Sequence, residues 1–441
     1  MKRRQFVTAC AATAIAASYG GVASAAKRLS TQGNSMILFK DALLFDGYDT
    51  VGIRNVLVEG NVVREVSESA INVSNAETIS CDGKTLMPGM IDCHVHVYIS
   101  GLGRQPRLGL PTYYAQYANK FLRYILDCGF TTVRDTAGGD HGLAYALRSG
   151  FLEGPRFFYG GFAISQTGGH GDLRSEDQHT PLCACEHHNH SLIAVMADGV
   201  DECIKAVREE LRKGAYHIKI MGSGGVMSPT DPVDKLQFSD AEIKAIVEET
   251  VRHGAYVTAH CHPDEAVLRC AILGVECIEH GTLTSKSTAQ ELVKLGTFVV
   301  PTLSVMGAIM HDGREMGISQ VNLDKLSAIY GDAMTCLETM KNEGVKLAFG
   351  TDLLAEQHTR QGTEFTMRSE VFSPIEIMRQ ATSNSAELLR SKGKLGCVAP
   401  GAYADLLLVN GDPTKDIDLL ASNGQDLSVI LRDGKFIKSG A

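Results

Sequence analysis

Between Thr85 and Leu395 the apolar pattern switches period repeatedly, short β-rich runs alternating with stretches whose apolar residues recur at helical spacing. The short runs predict strands at Leu86–Cys93, Thr131–Arg134, Arg156–Gly160, His217–Met221, Tyr256–His260, Glu276–Glu279, Phe298–Pro301 and Leu347–Gly350. Amphipathic segments between them, Gly199–Lys213, Ser239–His253, Ser287–Leu295 and Asp324–Glu343, predict helices. Eight strand–helix units over about 300 residues have the size and count of an α/β fold of the (β/α)8 TIM-barrel type, placed at residues 89–395. Three stretches after candidate strands read as long loops: Ile164–Ala197, Gly222–Phe238 and Ser304–Leu323.

The flanks have a different pattern. Residues 36–88 and 396–441 carry short alternating runs with turn residues, such as Val56-Leu-Val-Glu-Gly-Asn-Val-Val63 and Val429-Ile-Leu-Arg-Asp-Gly-Lys-Phe436. Neither flank is long enough to build its own core, so the two ends are expected to pair into one small β-sandwich domain.

Ahead of these elements, residues 1–26 read as an export signal: Lys2-Arg3-Arg4, an Ala-rich apolar run from Val7 to Ala17, and a small-residue cleavage site at Ala23-Ser24-Ala25. Arg3-Arg4-Gln5-Phe6-Val7 has the order of a twin-arginine signal, which would carry a folded, metal-loaded protein to the periplasm. A general secretory signal satisfies the same basic start and apolar run. Val7-Thr-Ala-Cys10 has the look of a lipoprotein box, but the apolar run before Cys10 is too short for one. No later apolar stretch approaches the roughly 18 residues of a spanning helix, so no membrane insertion of the mature protein is expected.

Composition narrows the partner. The 441-residue chain is 44% hydrophobic and 21% charged, with a formal charge of −9 and dispersed Lys and Arg. That leaves no basic footprint for nucleic acid and points to a small-molecule substrate. Assembly as a homo-oligomer stays open. Twelve cysteines, one of them in the signal, are spread without the spacing of a disulfide framework. The cluster Cys183-Ala-Cys185-Glu-His187-His188-Asn-His190 matches no common zinc spacing and reads as a polar loop, with a structural ion site as the alternative.

The chemistry lies at strand ends. His94 and His96 close the first candidate strand, on one face because they are two residues apart. Lys219 sits on the fourth between Ile218 and Ile220, His260 ends the fifth, His280 ends the sixth, and Asp352 follows the eighth. Each has a plain structural reading: a strand-end His as a hydrogen-bonded barrel residue, Asp352 as a helix cap, Lys219 as a snorkelling side chain. In a barrel of this type, however, all six reach one mouth. An ammonium between two isoleucines is costly beside metal ions, whereas the CO2 adduct of that amine is an anion able to bridge them.

Together with the composite β domain, this order of His-x-His, Lys, His, His and Asp resembles the amidohydrolase superfamily across the whole mature chain. The stretches Gln166-Thr-Gly-Gly-His-Gly-Asp172, Lys219-Ile-Met-Gly-Ser-Gly-Gly-Val226, Gln237-Phe-Ser239 and Ile278-Glu-His-Gly-Thr282 resemble its branch of metal-dependent dipeptidases and carboxypeptidases, relatives of an ochratoxin-hydrolysing amidase and of imidazolonepropionase. The resemblance implies two Zn2+ ions per subunit: one on His94, His96 and Asp352, one on His260 and His280, with N6-carboxylated Lys219 bridging both. It implies a bridging hydroxide as nucleophile, Asp352 as proton acceptor and donor, and His170 as the group that steadies the substrate carbonyl. Several members of the branch carry His-Ala-Tyr where this chain has His260-Cys261-His262. His262 then either replaces the Tyr as a donor or orients His260.

The expected activity is hydrolysis of the amide bond of a dipeptide or N-acyl amino acid. The alternative is another amide, carbamate or cyclic amide, including a xenobiotic such as ochratoxin. A barrel kept only for binding would have shed ligands, and all six are present here.

Overall fold

Alternating apolar residues from both chain ends meet in one sheet. A computed structural model describes residues 36–101, 110–174, 193–228 and 230–439. The export signal and the Cys183–His190 cluster lie outside the described residues. Strands β1 (Met36–Phe45), β2 (Thr50–Glu59), β3 (Val62–Ser67), β4 (Ala76–Ser80) and β5 (Thr85–Pro88) open the chain. β1 pairs antiparallel with β2 along one edge. Its other edge is shared between β4 and β5, both parallel to it.

Next come β6 (Met90–Val95), β7 (Phe130–Asp135) and β8 (Arg156–Tyr159), a parallel three-stranded sheet. The expected single strand Leu86–Cys93 is therefore two. Pro88-Gly89 breaks it, so that β5 stays in the terminal sheet while β6 starts the parallel one. At the junction Gly89 donates its N–H to the Asp405 carbonyl at 2.7 Å, and a Cβ there would overlap the Thr131 side chain. Gly89→Ala is accordingly expected to lower stability by about 1–3 kcal/mol through overpacking, read as a fall in the denaturation midpoint.

A seven-stranded parallel sheet follows, built from β9 (Ala163–Ser165), β10 (Ala194–Met196), β11 (Ile218–Met221), β12 (Val257–Pro263), β13 (Cys277–Leu283), β14 (Phe298–Val300) and β15 (Lys346–Leu347), in the order β10-β9-β11-β12-β13-β14-β15. Backbone bonds join the three-stranded sheet to the segments next to β15 and β11. Cys93 N donates to Phe349 O and Asp352 N to His94 O, each at 2.8 Å, and Tyr216 N donates to Tyr159 O at 2.9 Å. β7, β11, β12 and β13 are buried along nearly their whole length, as a parallel sheet covered on both faces requires.

The last strands, β16 (Leu406–Val409), β17 (Leu427–Arg432) and β18 (Lys435–Ser439), return to the first sheet, where β16 pairs antiparallel with β5. Hydrogen bonding makes this one sheet of eight strands, and residues of both chain ends, among them Phe39, Val58, Leu406 and Leu431, share one apolar cluster on it. The outer edge of β3 is met by segment 401–404, with Val63 N donating to Ala402 O at 2.9 Å, which hides an edge that would otherwise invite pairing with another chain. Arg156 ties this sheet to β8 through Asp405 (2.6 Å) and Asp433 (2.7 Å).

The helices fall where helical spacing places them. Asp240–Arg252 begins at a capping box of Ser239 and Glu242 and buries Ile243, Ile246 and Val247. Lys286–Leu295 begins at Ser285 and stops at Gly296 in a left-handed turn. One expectation fails: Ser304–Leu323 is not a loop. Leu303–Asp312 is a helix, and Gln320 already starts the next one, which runs to Glu343. Val305, Met306 and Ile309 are buried together on the first helix, a periodicity masked by an almost wholly apolar sequence.

Candidate active site

All eight site residues read from the sequence line one cavity at the C-terminal ends of the parallel strands: His94, His96, His170, Lys219, His260, His262, His280 and Asp352. The cavity holds about 120 Å³, and the remaining lining is apolar, including Ile99, Met221, Met306 and Leu354. Ligating atoms of His94, His280 and Asp352 lie within 4.8 Å of one another. Asp352 Oδ1 is 3.2 Å from His96 Nε2 and 3.5 Å from His94 Nε2.

Hydrogen bonds behind the rings decide which nitrogen faces the cavity. Nδ1 of His94 meets Glu279 at 2.7 Å, Nδ1 of His96 meets Ala137 O at 3.1 Å, and Nδ1 of His280 meets Thr302 Oγ1 at 2.7 Å. His262 is anchored in the same way, Nδ1 to Thr282 Oγ1 at 2.9 Å, and its ring lies nearly parallel to that of His280 at 5.0 Å. His260 is reversed, with Nε2 at 3.3 Å from Gly224 O and Nδ1 left over. An imidazole fixed by one nitrogen offers the other, correctly aimed, to an ion.

Backbone strain gathers at the same place. His280, Thr302 and Asp352 all have left-handed backbones, with φ of 70°, 50° and 53°. Non-glycine residues seldom adopt this region, and a cluster of them marks a site that the surrounding structure over-determines. Glu279 and His280 are neighbours on β13, yet one reaches behind His94 and the other lines the cavity beside it. The left-handed turn at His280 breaks the alternation that would send them to opposite faces.

The electrostatics suit cation binding. Burial pushes His260 and His280 well below the ordinary imidazole range and His262 down to about 3. Burial alone would raise the Asp352 carboxyl, but His94, His96 and His280 outweigh it and hold the group anionic. Lys219 is 2% exposed. Among the described residues its ammonium makes no hydrogen bond or ion pair, and burial lowers its pKa toward the neutral amine.

Glu279 and Arg134, absent from the sequence-based set, complete the site from below. Both are fully buried and paired at 2.6 Å, with Arg134 Nε also donating to Cys93 O at 2.6 Å. Burial would raise Glu279, but Arg134 and His94 hold it well below the usual carboxylate range. The available signal was a long charged side chain within each of two strands, Arg134 in β7 and Glu279 in β13, both buried along nearly their whole length. Asp92 does related work, accepting from His94 N (3.0 Å), Thr351 Oγ1 (2.7 Å) and Gln361 Nε2 (2.7 Å), and so ties β6 to the segment carrying Asp352.

Parallel strands that deliver several imidazoles and a carboxylate to one cavity build a site able to hold metal ions. The chain belongs to the amidohydrolase family, whose profile matches residues 85–437. It is 30% identical to ochratoxinase of Aspergillus niger over 387 residues, 80% of this chain and 75% of that one. Among solved structures it is similar to an amidohydrolase (41% identity, TM-score 0.88, 92% of this chain and 99% of that one). It is also similar to a prolidase complexed with N-methylphosphonate-L-proline (38%, 0.88, 92% and 100%), and to a Xaa-Pro dipeptidase with bound methionine in its active site (28%, 0.84, 92% and 100%). These relatives place it in the dipeptidase-like branch of the family.

Proposed function

We propose that the protein is a binuclear zinc amidohydrolase that cleaves the amide bond of a dipeptide or N-acyl amino acid and releases the C-terminal amino acid. The observation that carries this reading is Lys219: a buried amine with no hydrogen bond or ion pair among the described residues, in one cavity with His94, His260, His280 and Asp352. The bonds between β6 and the segment after β15, and between β8 and the approach to β11, support a closed (β/α)8 barrel over residues 89–395, with 36–88 and 396–441 as the accompanying β domain. Export to the periplasm by the twin-arginine-like signal belongs to the same reading.

The donor set fits two divalent cations. His94, His96 and Asp352 would hold one, His260 and His280 the other, and the carbamate of Lys219 would lie between them. Bound there, such ions lower the pKa of a shared water and polarise a carbonyl. Asp352 takes the proton of the attacking water and returns it to the leaving nitrogen as the C–N bond breaks. His170 and His262 flank the position of the substrate carbonyl and supply donors to its oxygen as negative charge develops. The apolar remainder of the lining favours substrates with uncharged side chains, because an unpaired charge buried there is costly.

Assay of zinc-loaded protein against Xaa-Pro and other dipeptides, N-acyl amino acids, aryl amides and cyclic amides tests this. Free amino acid released from the first two groups is the expected result. Intact peptides and N-acyl amino acids alongside cleaved aryl amides would replace it with a xenobiotic amidase, the reading that the similarity to ochratoxinase favours. The support below the site is testable separately: Glu279→Gln takes away the charged acceptor of His94 Nδ1 and is expected to weaken metal binding about 10- to 100-fold, measured by competition with a chelator.

A further inference from the structure

His170 enters the cavity from the loop after β9, and the contacts that fix its ring converge on one carboxylate, Asp231, that is not part of the cavity lining. The ring stacks on His260 at 4.2 Å and lies so close to Gly225 that a Cβ there would overlap it. Its Nδ1 is 2.7 Å from Ser228 Oγ and 3.6 Å from Asp231 Oδ2. Its backbone N–H donates to Gln237 Oε1 at 3.0 Å. Asp231, 4% exposed, accepts from Gly225 N at 3.0 Å and from Gln237 Nε2 at 3.1 Å, both on Oδ2. Gly225, Gln237 and Ser228 thus each touch His170 and sit beside the same carboxylate. The loop itself is pinned from outside: Lys325, on the helix Gln320–Glu343, donates to the carbonyls of Gly225, Ser228 and Asp231 at 3.2, 2.9 and 2.7 Å.

We propose that Asp231 is a positioning residue for the reaction: together with Ser228, its carboxylate fixes the His170 ring with Nδ1 turned away from the cavity and Nε2 toward the substrate carbonyl. The activity arm of this inference rests on the amide-hydrolase reading above. Asp231→Asn separates charge from scaffold. The amide oxygen retains both bonds on Oδ2, and the amide nitrogen replaces Oδ1, which has no partner among the described residues. A carboxylate needed only to shape the loop would tolerate that exchange.

The expected result for Asp231→Asn is a fall of about 10- to 100-fold in kcat/KM on the best-cleaved amide, carried mainly by kcat, with unchanged metal content and melting temperature. In a His170→Gln background the same substitution is expected to add nothing, because the two residues act in series. Equal losses in both backgrounds, or no loss in either, would overturn the proposal. A second arm needs no turnover. In 15N-histidine-labelled protein, the Nδ1 resonance of His170, assigned by its absence in His170→Gln, should shift in Asp231→Asn and Ser228→Ala. Its persistence unchanged in both would refute the link even if no amide in the panel were cleaved, an outcome that would separately sink the proposed function. Should Asp231→Asn fail to fold, Ser228→Ala carries the same two readouts and decides by the same criteria.

Discussion

Asp352→Asn is expected to leave a folded protein with kcat reduced by about 10²- to 10⁴-fold. The substitution is nearly isosteric. Asp352 has φ of 53°, a backbone region in which Asn is among the few well-tolerated side chains, so strain is not the expected source of any loss. What disappears is an anion that the surrounding imidazoles hold far below the usual carboxylate range, together with its capacity to take a proton from water and return it to the amine. Metal content measured on the same sample separates the two duties of the side chain. Activity lost with the full metal complement assigns the loss to proton transfer, and activity lost with the metal assigns it to ligation. Wild-type kcat in the variant would refute both roles.

Lys219→Met is expected to move stability and activity in opposite directions. In the metal-free protein a buried amine, 2% exposed and without a hydrogen bond or ion pair among the described residues, gives way to an apolar chain of similar length, worth about 1–3 kcal/mol of stabilisation and visible as a higher melting temperature. In the metal-loaded protein of the proposed function the same change would remove the bridging anion and leave Asp352 as a single negative charge against a pair of dications. Loss of kcat/KM on the order of 10³ or more follows from the several kcal/mol that metal charge supplies, with less than a full metal complement by mass spectrometry. Wild-type protein stripped by a chelator should regain activity with zinc faster when bicarbonate is added, since the carbamate forms from CO2 and the neutral amine. A Lys219→Met enzyme with two metals and normal turnover would remove the carbamate from the reading. A trade of stability for function at one buried position is the common pattern at catalytic sites.

Sequence alone went far here because the chemistry of this fold sits at strand ends. An apolar run that ends in His94-Val-His96, or that encloses Lys219 between two isoleucines, exposes its candidate site residue directly, since a polar group in a buried strand needs a compensating reason. Helices were readable for the same local reason, down to the Ser239–Glu242 capping box. Local periodicity failed where a segment was apolar all round. Leu303–Asp312 shows little contrast between faces, and only its packing against neighbouring elements reveals a helix that walls the cavity. The strand predicted across Pro88-Gly89 failed because membership of a sheet is a matter of partners: Thr85–Pro88 pairs with β16, more than 300 residues away, and Met90–Val95 with β7.

The candidate site residues and the order of the elements were therefore properties of the sequence, set by residue type and period. Which nitrogen of each histidine faces the cavity was not. That depended on Glu279, Thr302, Thr282 and Ala137, each brought from another strand or loop. Nor did the sequence disclose that Arg134 neutralises Glu279 beneath the site, or that Asp231 stands behind His170. Hydrogen bonds between side chains far apart in sequence leave no periodic trace, so these contacts became readable only once the chain had folded.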